Sequence, residues 1–482
     1  MDTIISQSVQ HRGVVDLKTA FERIFNLQKA NQQKVADTNS QERKLKLERL
    51  RQAVMKYHEQ IREALYKDYK KPASEVDIGE IYKITSDIKY AKSNLPTWMR
   101  PRKVATPMAQ IGSSSYIHFE PKGVVLIISP WNFPFNLTLG PLVSAIAAGN
   151  CVMIKPSEHT PHSSALMKKI ITELFDESEV TLLEGDVTVA TEILKLPFNH
   201  IFFTGAPEIG KIVMKAAAEH LASVTLELGG KCPTIVDESA DLKKAARRMA
   251  FGKWFNNGQV CIAPDYVLVH ESIADKFMEE LKETLIAFYG DDPSKSDSYT
   301  RMVNHHHFQR VEGYFQDALT KGATVAFGGK VNSDQGFFSP TIMTNIPHNC
   351  DLWGKEVFGP ILPFVTFADL QDAIDCINAK EKPLAIYIFS KSKKNIDRII
   401  ANTRAGATCV NHTGIHFFND NLPFGGANNS GIGKANGFFG FEAFSNARAV
   451  LKQWAPISGL DGMAPPYTSK KQKLIDLTIQ WL

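Results

Sequence analysis

Short apolar runs that alternate with helical stretches constrain the fold of this 482-residue chain more than any other feature. The runs at 123–129, 150–154 and 200–204 have the composition of buried strands, whereas 209–221 and 242–254 have the spacing of helices. This alternation predicts a wound α/β sheet with helices packed on its faces. Because the chain is too long for one ordinary core, we expect two large lobes.

An amphipathic helix is predicted near the amino terminus, where apolar residues recur at intervals of three or four and lysines precede Pro72. The spacing predicts a single helix that ends before the proline. Its apolar positions are Leu47, Leu50, Val54, Tyr57, Ile61 and Leu65.

Two segments in the middle of the chain, 226–231 and 257–264, set a carboxylate and a thiol beside glycines. The thiol of Cys261 follows Gly258 on a constrained turn, which can aim the Cys261 amide at an oxyanion. A lone cysteine is most often a buried small hydrophobe, and a lone carboxylate can simply accept a hydrogen bond from a backbone amide. The two segments together favour Cys261 as a nucleophile and Glu227 as its base.

Polar residues follow each predicted strand, at the sheet edge where nucleotides bind in open α/β folds. Asn132 follows the first strand and could donate to an oxyanion, and Lys155 and Glu158 follow the second. The third strand leads through Gly205 and Gly210 into a helix, an arrangement that can hold a pyrophosphate. Each feature taken alone also fits an ordinary turn, and the usual G-x-G-x-x-G pattern is absent.

Seven ordered motifs resemble the successive signatures of the NAD(P)-dependent aldehyde dehydrogenase superfamily, and the match spans roughly residues 40 to 455. They are PWNFP (130–134), KPSE (155–158), FTG (203–205), LELGGK (226–231), GQVC (258–261), EVFGP (356–360), and LPFGG (422–426) with NSG (429–431). Three further segments resemble the class 3 branch, which includes fatty and aromatic aldehyde dehydrogenases. These are WMRPRK (98–103), CIAPDY (261–266) and FEAFS (441–445).

The resemblance implies a catalytic mechanism for three residues. Cys261 would attack the aldehyde carbon, and the Asn132 amide and the Cys261 backbone N–H would hold the thiohemiacetal oxyanion. After hydride transfer, Glu227 would activate the water that hydrolyses the thioester. The implied substrate is a hydrophobic aldehyde, either medium- or long-chain aliphatic or aromatic, which is oxidised to its carboxylic acid.

The resemblance also implies a set of cofactor-binding residues and NAD as the cofactor. The Glu158 carboxylate would accept the 2′-hydroxyl of NAD and repel the 2′-phosphate of NADP, although class 3 relatives with this glutamate leave the use of NADP open. Ala206 departs from the serine or other polar residue that many members carry, so a side-chain contact to phosphate is missing. The implied cofactor residues are Trp131, Lys155, Glu158, Thr204, Gly205, Gly210, Leu228, Glu356 and Phe358.

Two other functions stay open at this point. One is a catalytically silent structural or binding homologue, which would have no chemical reason to keep Cys261, Glu227 and Asn132 together. The other is a CoA-acylating aldehyde dehydrogenase, although the base Glu227 would compete with its thiol acceptor.

The implied fold has a Rossmann-type cofactor domain, an α/β catalytic domain and a small bridging β-flap. The predicted cofactor domain comprises 1–106 and 123–229, and the catalytic domain comprises 230–435. Strands in 107–122 and 440–455 would bridge a homodimer. Residues 456–482 form a carboxy-terminal tail with a short helix.

Composition argues against several partners. The 55 basic and 51 acidic residues give a net charge of +4 without a basic cluster interleaved with aromatics, so we expect no nucleic-acid partner. The six cysteines show no close pairing, and neither a signal peptide nor an apolar window of membrane-spanning length is present. These features predict a cytoplasmic protein with reduced thiols. The run 305–307, three histidines, is predicted to be surface rather than a metal site.

The tail helix carries an apolar stripe beside three lysines. Its members are Leu474, Leu477, Thr478 and Trp481. We expect this stripe to pack on its own subunit or on a partner subunit, and weak peripheral membrane contact is the alternative.

Overall fold

The computed structural model describes residues 2–456, 458 and 460–481, with the side chains of 18–456, 458 and 460–480. Its first large sheet has six strands and contains all three strands predicted from apolar runs. In spatial order the strands are Gly431–Ile432, Ser223–Leu228, His200–Gly205, Val124–Ile128, Cys151–Lys155 and Val180–Leu182. All pair in parallel except the first, which runs antiparallel to its neighbour. Separate apolar clusters cover the two faces of this sheet.

The second large sheet has seven strands and carries the second lobe. In spatial order they are Thr324–Phe327, Thr341–Thr344, Ile361–Phe367, Tyr266–His270, Pro233–Val236, Ala385–Phe389 and Ala407–Val410. Only the first strand is antiparallel to its neighbour. Apolar clusters again cover both faces, so the predicted α/β class with two large lobes is confirmed. A short hairpin pairs Val331–Asn332 with Phe337–Phe338.

A third sheet of three antiparallel strands is separate from both large sheets. It consists of Arg102–Val104, Ser113–Pro121 and Ser445–Gln453, in that order. The last strand is largely exposed, including Leu451, and Trp454 beyond its end is 68% exposed. The two longer strands fall in the segments predicted to bridge a dimer, while the domain bounds themselves stay a prediction.

The helices cover the sheets and fill the connections between strands. They are Asp2–Ala36, Ser40–Lys56, His58–Tyr69, Ala73–Val76, Lys83–Trp98, Asn136–Ala148, Pro161–Leu174, Val187–Ile193, Pro207–Ala218, Leu242–Trp254, Ala274–Tyr289, His305–Thr320, Asp351–Gly354, Leu370–Asn378, Lys393–Asn402, Gly437–Ala443 and Ser469–Trp481. A π-helical turn, Asp77–Tyr82, leads into the helix Lys83–Trp98.

The prediction of one continuous amphipathic helix near the amino terminus is wrong at one position. The chain forms two helices there, Ser40–Lys56 and His58–Tyr69, which meet at Tyr57. Tyr57 has φ −94° and ψ 13°, which opens the helical turn, and its hydroxyl donates to Glu173 at 2.5 Å. The apolar positions on both helices are buried as predicted.

The carboxy-terminal helix Ser469–Trp481 leaves several of its apolar side chains exposed in the isolated subunit. Leu474, Leu477 and Ile479 are 44%, 58% and 76% exposed. The expected packing of this stripe on its own subunit or on a partner subunit stays a prediction. Within the described part of the chain, no helix is long and apolar enough to cross a membrane.

Candidate active site

Cys261 lies on a loop, residues 255–265, that joins the helix Leu242–Trp254 to the strand Tyr266–His270; we call it the nucleophile loop. Three consecutive residues before the cysteine have left-handed backbones: Asn256 (φ 53°), Asn257 (φ 57°) and Gly258 (φ 73°). Asparagine tolerates this conformation, and glycine adopts it without strain. A Cβ on Gly258 would also lie 2.2 Å from the carbonyl oxygen of Gly359. The loop therefore depends on glycine at this position.

The Cys261 thiol is protonated at neutral pH in this environment. Burial raises its pKa to about 12, and the carboxylates of Glu356 and Glu227 add to this rise. The backbone N–H groups of Cys261 and Ile262 lower the pKa by a smaller amount. Because the thiolate is the nucleophilic form, the thiol needs a nearby base.

Glu227 lies on the strand Ser223–Leu228 and lines the same two cavities as Cys261. Its carboxylate oxygens are buried, and neither has a hydrogen-bond partner within the described residues. Burial raises the pKa of Glu227 well above its usual range, and the ammonium of Lys434 opposes this rise. The alternative of a carboxylate bound to a backbone amide is therefore wrong. A buried carboxyl group with a raised pKa is a stronger base in its ionised form, which suits a general base.

Asn132 is linked to the nucleophile loop by hydrogen bonds from both its side chain and its backbone. Its Nδ2 donates to the carbonyl of Gln259 at 3.0 Å, which uses one of the two amide hydrogens. Its own carbonyl accepts from the Tyr69 hydroxyl at 2.8 Å, Asn256 Nδ2 at 2.9 Å and Lys71 Nζ at 3.3 Å. The second amide hydrogen remains for an oxyanion.

Lys71 and Glu80 form a fully buried ion pair below Asn132. Their side chains are 0% exposed, and Lys71 Nζ lies 3.1 Å from Glu80 Oε1. Burial lowers the pKa of Lys71 and raises that of Glu80, while the charge of each partner opposes the shift of the other. Glu80 also accepts from the backbone N–H of Asn136 at 2.8 Å, and the Lys71 ammonium lies 3.8 Å from the centre of the Phe133 ring.

A cleft of about 750 Å³ opens on one side of Cys261; we call it the nucleotide cleft. Its walls include the glycine turn after the strand His200–Gly205 and the segment around Glu356. Of the predicted site residues, those that line it are Trp131, Asn132, Thr204, Gly205, Glu227, Leu228, Cys261, Glu356 and Phe358. Six predicted cofactor residues are thus brought together with the predicted catalytic ones.

Three predicted cofactor residues do not line this cleft. Lys155 and Glu158 pair with each other at 2.7 Å just beyond the strand Cys151–Lys155. Gly210 packs against Leu228, because a Cβ at Gly210 would lie 2.7 Å from a Leu228 methyl carbon. Gly210 therefore sets the distance between helix and strand.

Comparison with known proteins agrees with this geometry. A model of the aldehyde dehydrogenase family matches residues 10–450. The chain belongs to the aldehyde dehydrogenase family. Aldehyde dehydrogenase family 3 member B1 of Rattus norvegicus is 40% identical over 86% of this chain and 88% of its own, in agreement with the class 3 resemblance. The "dimeric NADP-preferring" aldehyde dehydrogenase of Canis lupus familiaris is 42% identical, over 84% and 88%. The substrate-bound state of Staphylococcus aureus AldH has a TM-score of 0.90 and 38% identity, and covers 95% of this chain and 99% of that one.

This aldehyde dehydrogenase is an enzyme that oxidises aldehydes with NAD(P), and the nucleotide cleft fits a dinucleotide. The helix Pro207–Ala218 begins at the cleft without a side-chain cap, so its first N–H groups are free for a pyrophosphate. Gly229 keeps the opposite wall open, because a Cβ there would lie 2.1 Å from Glu356 Oε2. Ala206 lines the cleft at the position that precedes the helix and offers only its backbone.

Aromatic rings shape the wall of the cleft beside Glu356. The Trp131 ring lies 5.3 Å from the Phe358 ring at nearly a right angle. Phe358 has φ 42°, a strained conformation for a bulky residue that persists only where the surroundings impose it. Burial raises the pKa of the adjacent Glu356 to about 8.

The surface position predicted for 305–307 is wrong for His307. His305 and His306 are exposed, but the half-buried His307 ring lies 4.7 Å from the Trp131 ring and lines the nucleotide cleft. The three residues form the first turn of the helix His305–Thr320, which points successive side chains roughly 100° apart. Among the described residues, no group of three or more His, Cys, Asp or Glu side chains could hold a metal ion.

Two further residues escaped sequence reasoning. Arg310, one helical turn after His307, lines the nucleotide cleft and donates to the carbonyls of Val357 and Phe358. Asp265 pairs with Lys231 and accepts from the Val357 N–H at 2.8 Å. Asp265 therefore connects the nucleophile loop to the Glu356 segment. Its place in the CIAPDY motif was the available signal.

A narrow pocket of about 60 Å³ lies on the other side of Cys261; we call it the aldehyde pocket. The helices Lys83–Trp98 and Asn136–Ala148 form much of its wall, and Trp98, Phe202, Phe417 and Phe424 make that wall apolar. Five residues line both cavities: Leu137, Thr204, Glu227, Leu228 and Cys261. Both cavities therefore reach the Cys261 thiol.

Proposed function

We propose that this enzyme oxidises a hydrophobic aldehyde, medium- or long-chain aliphatic or aromatic, to its carboxylic acid through a covalent intermediate on Cys261. The observation that carries the proposal is that Cys261 and Glu227 line both the apolar aldehyde pocket and the nucleotide cleft. A narrow apolar pocket suits an extended or flat apolar group.

Glu227 starts the reaction as the base that takes the proton of the Cys261 thiol. The sulfur then attacks the carbonyl carbon and forms a thiohemiacetal. The free hydrogen of Asn132 Nδ2 and the Cys261 backbone N–H donate to its oxyanion. NAD(P)⁺, held by the residues of the nucleotide cleft, would supply the hydride acceptor that turns the thiohemiacetal into a thioester on Cys261.

Hydrolysis of the thioester requires a water activated by Glu227. Its raised pKa makes this carboxylate a stronger base than an exposed glutamate, and its unpaired oxygens leave room for the water. Glu227 first releases the thiol proton to the medium. It then takes a proton from the water as the hydroxide adds to the thioester, and gives that proton to the departing Cys261 sulfur as the acid leaves.

The dinucleotide we infer to be preferred is NAD. Glu158 is 40% exposed and paired with Lys155, so its carboxylate can accept the ribose hydroxyls and repels a 2′-phosphate. In this proposal Lys155 and Glu158 hydrogen-bond the adenosine ribose, and Gly205 and Gly210 shape the pyrophosphate turn. Glu356 and Phe358 hold the nicotinamide ribose and ring.

We also infer a cytoplasmic homodimer. The exposed strand Ser445–Gln453 and the nearby Trp454 offer a surface for a second subunit, and a relative is named as dimeric. The six cysteines are all free, which suits a reducing compartment. The proposed cofactor domain (1–106 and 123–229) and catalytic domain (230–435) would each be one lobe of the subunit.

The test is NADH and NADPH formation by the purified protein with aliphatic aldehydes of increasing length and with aromatic aldehydes. Cys261→Ala should abolish turnover, whereas the matched variant Cys376→Ala should keep it. Glu227→Gln lacks the base for both the thiol and the water, so it should lose turnover, and intact-protein mass spectrometry should detect no accumulated thioester. Turnover by Cys261→Ala, or wild-type turnover by Glu227→Gln, would refute the mechanism.

A further inference from the structure

Gly140, on the helix Asn136–Ala148, faces two acceptor oxygens in the wall of the aldehyde pocket. A Cβ built on Gly140 would lie 3.6 Å from Asp87 Oδ2 and 3.7 Å from Asn136 Oδ1. All three residues line the pocket that contains Cys261 and Glu227. These residues therefore form one polar patch of the pocket wall.

Hydrogen bonds fix the orientation of the Asn136 side chain. Its Nδ2 donates to the carbonyl of Gly79 at 3.0 Å, and its backbone N–H donates to Glu80. Asn136 is only 4% exposed, yet its Oδ1 accepts no hydrogen bond from the described residues. Because Asn136 lines the pocket, this oxygen can accept a hydrogen bond from a water or a ligand there.

Asp87 presents a similar oxygen from the helix Lys83–Trp98. Its Oδ1 accepts from Lys83, whose ammonium also pairs with Asp420 at 2.7 Å. No N–H or hydroxyl group of the described residues donates to Asp87 Oδ2, although the Asp87 carboxyl group lies within hydrogen-bonding reach of the Asp420 carboxyl group. Two carboxylates thus share one ammonium, and burial together with Asp420 raises the pKa of Asp87 to about 7 against the effect of Lys83.

The glycine leaves space that protein packing does not require. Glycine destabilises a helix interior relative to alanine, yet the nearest atoms to a Cβ at position 140 would be at ordinary van der Waals distances. Gly140 has a helical backbone and no positive φ, so backbone strain does not explain the residue either. The open space beside two acceptors is what a ligand atom would use.

We propose that Asp87, Asn136 and Gly140 form a hydrogen-bond-accepting subsite that selects aldehydes carrying a hydroxyl group remote from the reacting carbonyl. The inference rests on the proposed reaction at Cys261. A hydroxyl supplies the donor that both oxygens lack. It also enters a largely apolar pocket more easily than an ammonium, because a neutral group loses less hydration energy on burial.

The test compares unbranched alkanals with ω-hydroxyalkanals of equal chain length, with NAD in excess. At one chain length, kcat/KM for the hydroxyaldehyde should exceed that of the alkanal by about tenfold, the usual effect of a hydrogen bond in a site built to accept it. The matching ω-aminoaldehydes should show a smaller gain than the hydroxyaldehydes.

Two variants assign the preference to the subsite. Gly140→Ala fills the space and should raise the melting temperature. It should also bring the ratio of kcat/KM for the hydroxyaldehyde to that for the alkanal close to one. In Asp87→Asn, the amide oxygen can keep the contact with Lys83, and an NH₂ group then takes the place of Oδ2. The ratio of kcat/KM for the hydroxyaldehyde to that for the alkanal should fall in the same way. Gly313→Ala, at a helical glycine with nothing within 4 Å of its Cβ, is the matched control and should leave the ratio unchanged.

The outcomes separate the subsite from the proposed function. Oxidation of alkanals with a ratio near one at every chain length overturns the subsite alone. A preference that persists at its wild-type value in Gly140→Ala and Asp87→Asn belongs to other residues and also overturns it. If no aldehyde is oxidised, the proposed function fails and the subsite fails with it.

Discussion

Replacing Lys71 with methionine should destabilise the first lobe by about 3–5 kcal/mol, because it leaves the Glu80 carboxylate buried without its counter-charge. Both side chains are 0% exposed and 3.1 Å apart, so water cannot replace the lost ammonium without opening the core. At about 2–4 °C per kcal/mol for a lobe of about 200 residues, the melting temperature should fall by roughly 10 °C. The variant also removes one of three donors to the Asn132 carbonyl, so kcat should fall more than KM rises.

Differential scanning calorimetry and urea unfolding measure the loss of stability, and two matched variants isolate its cause. Lys71→Met combined with Glu80→Gln should recover most of the loss, because no unpaired charge remains buried. Lys92→Met breaks the ion pair between Lys92, which is 29% exposed, and Glu48, which is 22% exposed. This change should lower the free energy of unfolding by less than about 1 kcal/mol. Equal losses in Lys71→Met and Lys92→Met, or no recovery in the double variant, would contradict the reasoning.

Three further variants test charged groups. Burial raises the pKa of Glu75 to about 7, so the folded protein keeps a proton that the unfolded chain loses above about pH 4.5. The free energy of unfolding should therefore fall by up to about 3 kcal/mol as pH rises from about 4.5 to 7. The urea midpoint of Glu75→Gln should decline less across this window than that of the wild type. An equal decline in both proteins would exclude Glu75 as the source. Lys434→Met removes the charge that lowers the pKa of Glu227 and should move the acid limb of the pH–kcat profile to higher pH, whereas the exposed control Lys452→Met should not. Glu158→Gln should raise the ratio of kcat/KM for NADP to that for NAD by about tenfold, and an unchanged ratio would mean that the carboxylate does not face the 2′ position.

Residues embedded in local motifs could be identified from the sequence. Buried strands are visible as apolar runs, and the run 200–204 agrees with the strand His200–Gly205 to within one residue. Cys261 and Glu227 lie in segments that contain glycine. Because glycine can adopt backbone conformations that other residues avoid, the composition of these segments indicates an unusual backbone conformation. The left-handed residues before Cys261 are the physical counterpart of that signal.

Contacts made through tertiary packing could not be identified in this way. Asp87 and Gly140 lie on different helices and meet only because those helices pack side by side along the aldehyde pocket. Lys71 and Glu80 are close in the chain, but nothing in their composition indicates that both are fully buried. His307 was placed at the surface because a run of three histidines gives no indication of which one faces inward.

The aldehyde pocket and the nucleotide cleft share only a short stretch of wall around Cys261. Occupants of the aldehyde pocket and of the nucleotide cleft have only Leu137, Thr204, Glu227, Leu228 and Cys261 in common as neighbours. An inhibitor extended along the pocket toward Asp87 would therefore gain affinity from side chains that the dinucleotide never touches. Such a compound would not have to displace an abundant cofactor, and its selectivity would come from the helices Lys83–Trp98 and Asn136–Ala148.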